Sequence, residues 1–385
     1  MSAPQAFSID IPQSRLDRIR ARVAEYEWHE MPENGGWEFG ANLDYMKELC
    51  AYWLNAYDWR KWERELNRFP QYTVDIEGQT IHYIIEKGSG ANPRPLIISH
   101  GWPGSVFEFL HVIEPLAHPE RFGGDEKDAF DVIVPSLPGY GFSGKPRRPI
   151  GPRKIAKSFD RLMSGVLGYK NYIAQGGDWG SIISGWMGYD YGAPKGACAA
   201  VHLNMYGLRS VDAAPKTPEE IAFAQNYAVI EAREMGYFRE QSTKPQTLSY
   251  GMMDSPVGAC AWIVEKFHGW SDLKDGRLES VYSKDQLLTN VMIYLVTGTF
   301  NTATWLYRGL FDDGDFMLGK GERVKVPVGV ANFPKDLLPW PPRSMAEKTY
   351  AIAQWSDIGE GGHFAAMEKP DKFIADIRAF AGGLR

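Results

Sequence analysis

In the stretch YIAQGGDWGSIISGW, residues 172–186, a single carboxylate, Asp178, stands between glycines at 176 and 180. Before it lies a short apolar run, Tyr172, Ile173 and Ala174, and after it the helix-compatible segment SIISGWMGYDY. Small residues on both flanks let the backbone take a strained turn. A helix that begins just past the turn lends its positive N-terminal end to charge on the side chain. These are the demands of a nucleophile elbow, which ordinarily presents a serine in G-x-S-x-G. Here the elbow would present Asp178. An aspartate can also cap a helix start, but capping does not call for glycine on both sides.

A nucleophile of this kind needs an oxyanion site, a base and a group to orient the base. The segment His100-Gly101-Trp102-Pro103-Gly104-Ser105 follows the apolar run LIIS, residues 96–99. A loop in that position supplies one backbone donor, so the expected oxyanion donors are the N–H groups of Trp102 and of Trp179, the residue after Asp178. Trp102, Pro103 and Trp179 are then expected to border the substrate. His100, at a strand end before glycine, is expected to be structural. The expected base is His363 in EGGHFAAMEKP, alone among the eight histidines in a glycine-led loop after the last strand. His29, His111, His118 and His268 lie in polar or helical contexts, and His82 and His202 in strands. For the orienting acid, Asp336 in NFPKDLLPW follows the strand VPVGVA and precedes the histidine by 363 − 336 = 27 residues. Asp357 and Glu360 share the histidine's own loop and rarely could point back at its ring, and Asn204, after an earlier strand, is not an acid.

The elements that must position these groups alternate along the chain. Short apolar runs at 96–99, 130–135, 172–174 and 196–204 are separated by helical stretches near 105–117 and 153–167. Such alternation indicates a mostly parallel sheet with helices on both faces. The segment YTVDIEGQTIHYIIEKG alternates on either side of Glu77-Gly78, a hairpin signal. Residues 1–70 read as helical, with starts near Gln13 or Ser14, at Asn42-Leu43-Asp44 and at Asp58. The expected organisation is an N-terminal helical segment (1–70), a core (71–205), a helical lid (206–320) and a second part of the core (321–385). Closing elements are the strands at 324–332 and 349–355 and a helix from Pro370 to Phe380.

Composition narrows the partners. Lysine and arginine number 42 against 48 acids, a net charge of −6 with no basic block, so neither nucleic acid nor an anionic membrane is indicated. The three cysteines, Cys50, Cys198 and Cys260, are far apart and form no C-x-x-C pair, which fits a reducing compartment. The N-terminus carries charge almost at once and lacks an apolar core, and no run reaches the roughly 18 apolar residues that span a bilayer. A cytoplasmic protein is expected. An aromatic content of 13% suits an apolar binding cavity.

The order Asp178, Asp336, His363 on a lidded sheet resembles the epoxide hydrolases of the α/β-hydrolase fold, nearest to the microsomal and juvenile-hormone branch and its soluble fungal and bacterial relatives. The resemblance spans nearly the whole chain through FSIDIPQSRLDRIRARV, LNRFPQY, HGWPGS, PGYGFS, GGDWGS, STKPQTL, DSPVGACAWIVEKF, LLTNVMIYLVTGT and GGHFAAME. It implies an eight-stranded sheet, an N-terminal segment wrapping the lid, and two lid tyrosines that hold the epoxide oxygen. By local match these are Tyr237 in EMGYFREQSTKP and Tyr307 in WLYRGLF. The microsomal members carry an N-terminal membrane anchor, and this chain starts where their soluble part would.

The resemblance also gives the carboxylate a purpose. An epoxide presents a saturated carbon, so attack is a backside displacement that leaves an ester on Asp178. Phenols, with an ordinary pKa near 10, can donate to the developing alkoxide. His363, held by Asp336, would then activate water against that ester, with no cofactor or metal. The expected partners are a small hydrophobic epoxide and water, and the expected state a monomer or homodimer. A haloalkane dehalogenase shares the Asp–His chemistry but would need side-chain N–H donors for halide. A non-catalytic binder of hydrophobic ligands is the reading from another class.

Overall fold

A computed structural model describes residues 3–384. The strands of its central sheet are β1 (Gln5–Phe7), β2 (Gln71–Ile76), β3 (Gln79–Glu86), β4 (Arg94–Ser99), β5 (Phe130–Pro135), β6 (Tyr172–Gly176) and β7 (Cys198–Leu203). Between these and the last two strands of the sheet, β10 (Val324–Asn332) and β11 (Tyr350–Asp357), the short β8 (Arg209–Ser210) and β9 (Met317–Leu318) pair with each other as a separate ribbon. The sheet order is β1-β2-β3-β5-β4-β6-β7-β10-β11. From β5 to β11 every neighbouring pair is parallel, while β1, β2 and β3 form an antiparallel edge.

The local reasons are plain in the residues. At the β2–β3 turn Glu77 and Gly78 have φ of 56° and 82°, the pair of positive values that a two-residue hairpin turn with the right twist demands. Every residue of β5 and of β6 is buried, because helices cover both faces, and both strands are accordingly mostly apolar. Helices α4 (Leu110–Ala117), α5 (Pro152–Asp160) and α6 (Asp178–Asp190) make the crossovers. The chain leaves β4 for β5 on one side, then returns across β4 to β6 on the other. That reversal opens a crevice beyond the carboxyl ends of β4 and β6, where ligands bind in open α/β sheets.

Above the crevice lie the lid helices α7 (Pro218–Glu234), α8 (Gly236–Thr243), α9 (Pro245–Asp254), α10 (Pro256–Gly269), α11 (Lys284–Thr297) and α12 (Phe300–Asp313). Helix α11 is buried on every side from Leu287 to Val296, which is why its sequence shows little amphipathic period. Against α10 and α11 pack the N-terminal helices α1 (Gln13–Ala24), α2 (Leu43–Asn55) and α3 (Trp59–Leu66). Asn42 and Asp58 cap α2 and α3 by accepting the N–H groups of Tyr45 and Arg60, each at 2.9 Å. The chain closes with α13 (Arg343–Thr349), α14 (Ala365–Glu368) and α15 (Pro370–Gly383).

One expectation needs correction. Among the described residues the sheet has nine strands, not eight, because Gln5–Phe7 lies in the segment read as helical yet pairs with Gln71–Thr73 of β2. Three residues carry no readable period, and the unpaired edge of β2 determines their conformation. Among the described residues no helix is long and apolar enough to cross a membrane.

Candidate active site

Asp178 is the first residue of α6 and has φ of 47°, a left-handed conformation that costs a non-glycine residue of order 1–3 kcal/mol. The turn is held by close approach. A Cβ on Gly180 would lie 1.9 Å from the Ser99 carbonyl oxygen, and one on Gly176 would lie 2.1 Å from the Gly180 carbonyl oxygen. Gly177, not Asp178, is the cap residue, so the carboxylate is free of capping. Its Oδ1 instead accepts the Trp102 N–H at 2.7 Å. Gly101 makes room for this, since a Cβ there would fall 2.0 Å from the same oxygen. The Trp179 N–H lies in the first turn of α6, where backbone donors have no helical acceptor.

His363 sits on the loop after β11, with Nε2 3.4 Å from Asp178 Oδ2 and Nδ1 2.7 Å from Asp336 Oδ1. With Nδ1–H donated to Asp336, Nε2 is left facing Asp178. The two loops are stitched together beside the pair: Lys335 N–H donates to the Gly361 carbonyl at 3.1 Å, and His363 N–H to the Trp270 carbonyl at 2.8 Å. Glu368 gathers the N–H groups on either side of the histidine, Gly362 and Phe364, each at 2.9 Å, together with that of Asp272 at 2.8 Å. Burial opposes a charge on His363, but the Asp336 carboxylate and the hydrogen bonds to Asp178 and Asp336 override it and raise its pKa well above the ordinary value.

Tyr237 on α8 and Tyr307 on α12 come together over Asp178, their rings 5.9 Å apart at 83°. Tyr237 stacks on Trp102 at 5.1 Å, and Tyr307 stands edge-on to Trp179 at 4.7 Å. Burial, with Asp178 as a further cause, raises both phenols well above 10. They are therefore weaker acids in this resting arrangement than free phenols. The buried Tyr307 Oη has no partner of hydrogen-bonding geometry among the described residues, an arrangement that suits a donor kept for a ligand. Asp178, Trp179, His363, Tyr237, Tyr307 and Phe238 all face one cavity of about 510 Å³ between lid and core.

The remaining expectations divide. Trp102 is fully buried and borders a smaller cavity rather than the large one. Pro103 lines neither: Asn290 Nδ2 holds its carbonyl at 2.7 Å and Tyr294 Oη holds that of Gly104 at 2.6 Å, so this loop is bound to α11. Both ring nitrogens of His100 meet backbone, Nε2 accepting the Leu137 N–H at 3.2 Å and Nδ1 lying 3.0 Å from the Gly101 carbonyl. Burial pushes its pKa down to about 4. Asp357 accepts from Asn332, Glu360 pairs with Lys369 and Lys372, and Asn204 accepts from Gln175. None of the three reaches His363. The reading of the sequence missed Trp270, Glu368 and Glu108. For Glu108 a signal was present, a single acid inside the otherwise apolar SVFEFL that follows HGWPG.

Comparison with known proteins agrees with this architecture. Residues 4–109 match the family described as epoxide hydrolase N terminus, and residues 94–229 match the alpha/beta hydrolase fold. Epoxide hydrolase 1 of Sus scrofa is 34% identical over 98% of this chain and 88% of its own. Among solved structures, juvenile hormone epoxide hydrolase from the silkworm Bombyx mori superposes with a TM-score of 0.89 at 30% identity, covering 100% of this chain and 95% of its own. The Aspergillus niger epoxide hydrolase gives 0.86 at 30% identity over 100% and 97%.

Proposed function

The chain belongs to the epoxide hydrolase family of the α/β-hydrolase fold, and from that membership we propose a two-step reaction with Asp178 as the nucleophile. The observation that carries it is the opposition, across one cavity, of a carboxylate and a pair of buried phenols. Asp178 attacks a carbon of the epoxide, the C–O bond breaks, and the released oxygen takes hydrogen bonds and then a proton from the Tyr237–Tyr307 pair. Esterification removes the Asp178 charge. That charge is among the causes that raise the phenol pKa values, so the tyrosines become better acids as the alkoxide forms.

The same loss resets the histidine. Asp178 contributes both charge and a hydrogen bond to the raised pKa of His363. Once it is an ester, His363 yields its proton more readily and can serve as a base. Water then adds to the ester carbonyl, and the N–H groups of Trp102 and Trp179 receive the oxyanion. Collapse releases a vicinal diol.

The lining and the 510 Å³ volume suit an aryl or branched alkyl epoxide. Styrene oxide and similar compounds are expected to give diols without added cofactor. Single turnover in H₂¹⁸O is expected to leave label in the Asp178 carboxylate, and His363→Gln to accumulate a substrate-sized adduct on the peptide holding Asp178. Diol formed with Asp178 unlabelled would defeat the covalent route. Halide released from a chloroalkane at a comparable rate would favour a dehalogenase instead.

A further inference from the structure

Asp178 and His363 border not only the large cavity but also a second one of about 20 Å³, which Trp102, Glu108, Phe109 and Phe364 help to enclose. That volume matches one water, which needs two to four polar partners to be held. Glu108 is suited to be one of them. Its carboxyl is folded onto the HGWPGS loop, where a Cβ on Gly104 would come within 1.5 Å of Glu108 Oε1, so the glycine leaves the space that the carboxyl occupies. The charged groups facing Glu108 are His363 and Asp178, while Tyr282 and Tyr294 face it as phenols and the Ser105 backbone as a donor. No cation among them compensates it permanently. Even a half-buried acid in that setting costs stability, whereas an apolar side chain would fill the same place at lower cost.

We propose that Glu108 is a catalytic residue of the second step, holding the water that hydrolyses the Asp178 ester. This rests on the covalent reading above. One O–H of the water points to His363 Nε2 and the other to a Glu108 carboxyl oxygen, which leaves a lone pair directed at Asp178 Cγ. As the O–Cγ bond forms, the first proton passes to His363 and the carbonyl electron pair becomes the oxyanion. On collapse the bond from Cγ to the diol oxygen breaks, that oxygen takes the proton back from His363, and the proton left on the Asp178 carboxyl returns to the tyrosinate formed in the first step. Burial holds the Glu108 carboxyl up at about 8, so at pH 7 it is neutral and accepts from water without placing a second anion beside Asp178.

The test separates the two half-reactions by rapid mixing, with the adduct on the Asp178 peptide followed by mass. In Glu108→Met the adduct is expected to form within about threefold of the parent rate and to decay about 10²-fold more slowly, the scale of one positioned proton-transfer partner. Glu108→Gln, which keeps an acceptor oxygen, is expected to recover most of that loss. Decay in Glu108→Met within threefold of the parent would overturn the assignment. So would an equal fall in both half-reactions, the mark of a merely structural change. His363→Gln is run alongside: if it too gives no adduct while diol still forms, the covalent reading itself fails.

Discussion

The charge on His363 is set by two carboxylates on opposite sides of its ring, at 2.7 Å and 3.4 Å. Only one of them is consumed in the proposed reaction. Asp336 is not part of the covalent chemistry and fixes the tautomer, while Asp178 alternates between carboxylate and ester. Hydrolysis of the ester needs neutral His363, so its rate is expected to fall as pH drops through the histidine pKa of the ester form. Because the raising contribution of Asp178 has gone, that pKa lies below the resting one. Asp336→Asn removes the other charge and should move this acid limb to still lower pH. It should also cut the plateau by about 10²–10⁴-fold, because the ring loses its orienting acceptor. A pH profile of adduct decay checks both statements; an unmoved limb would refute the electrostatic account.

At the scale of elements, the N-terminal helices help to hold the lid. Asp285, in the first turn of α11, accepts Tyr52 Oη–H at 2.9 Å, Lys61 Nζ–H at 3.1 Å and Trp62 Nε1–H at 3.2 Å. Two of these donors are part-buried, and removal of the acceptor strands them. Asp285→Ala is expected to cost about 2–3 kcal/mol of stability, read as a lower midpoint of thermal or urea unfolding, with the rate of a saturated enzyme nearly unchanged below that midpoint. The lysine pair is the exposed part of the cluster, so Lys61→Met should cost much less, at most about 1 kcal/mol. Equal losses in the two variants would show that the buried hydrogen bonds carry no special share.

Over the whole molecule, the acids enclosed beside the site tie its chemistry to global stability. Burial lifts Glu108 to about 8 and, against the pull of three amide donors, Glu368 to about 7, and His363 is raised as well. A group whose pKa is higher in the folded chain keeps a proton that the unfolded chain has released. The contribution of these two carboxyls to stability is therefore fullest below the unfolded value near 4.5 and declines as pH climbs to about 8. The slope is at most about 1.4 kcal/mol per pH unit for each group. Glu108→Gln cannot titrate there, so its unfolding midpoint is expected to fall less between pH 5 and pH 8 than that of the parent. An identical slope in the two proteins would contradict the raised carboxyl.

Much of this was legible without coordinates, for local reasons. Asp178 between Gly176 and Gly180 marks a strained strand-to-helix turn by composition alone, and apolar runs alternating with helices imply a parallel sheet. Asn42 and Asp58 announce their helices, and Glu77-Gly78 its hairpin, because caps and turns are decided within a few residues. What the local pattern could not hold were pairings across the chain. The strand at Gln5–Phe7 exists only because β2 offers an edge. Pro103 leaves the pocket because Asn290, far along on α11, takes its carbonyl. Glu108 reads as one acid in an apolar helix until the fold brings it against Asp178 and His363 at a cavity the size of a water. Sequence determines which side chains can do chemistry and what turn each stands on; distance, burial and the charge each group feels arise only when separate strands end at the same edge of the sheet.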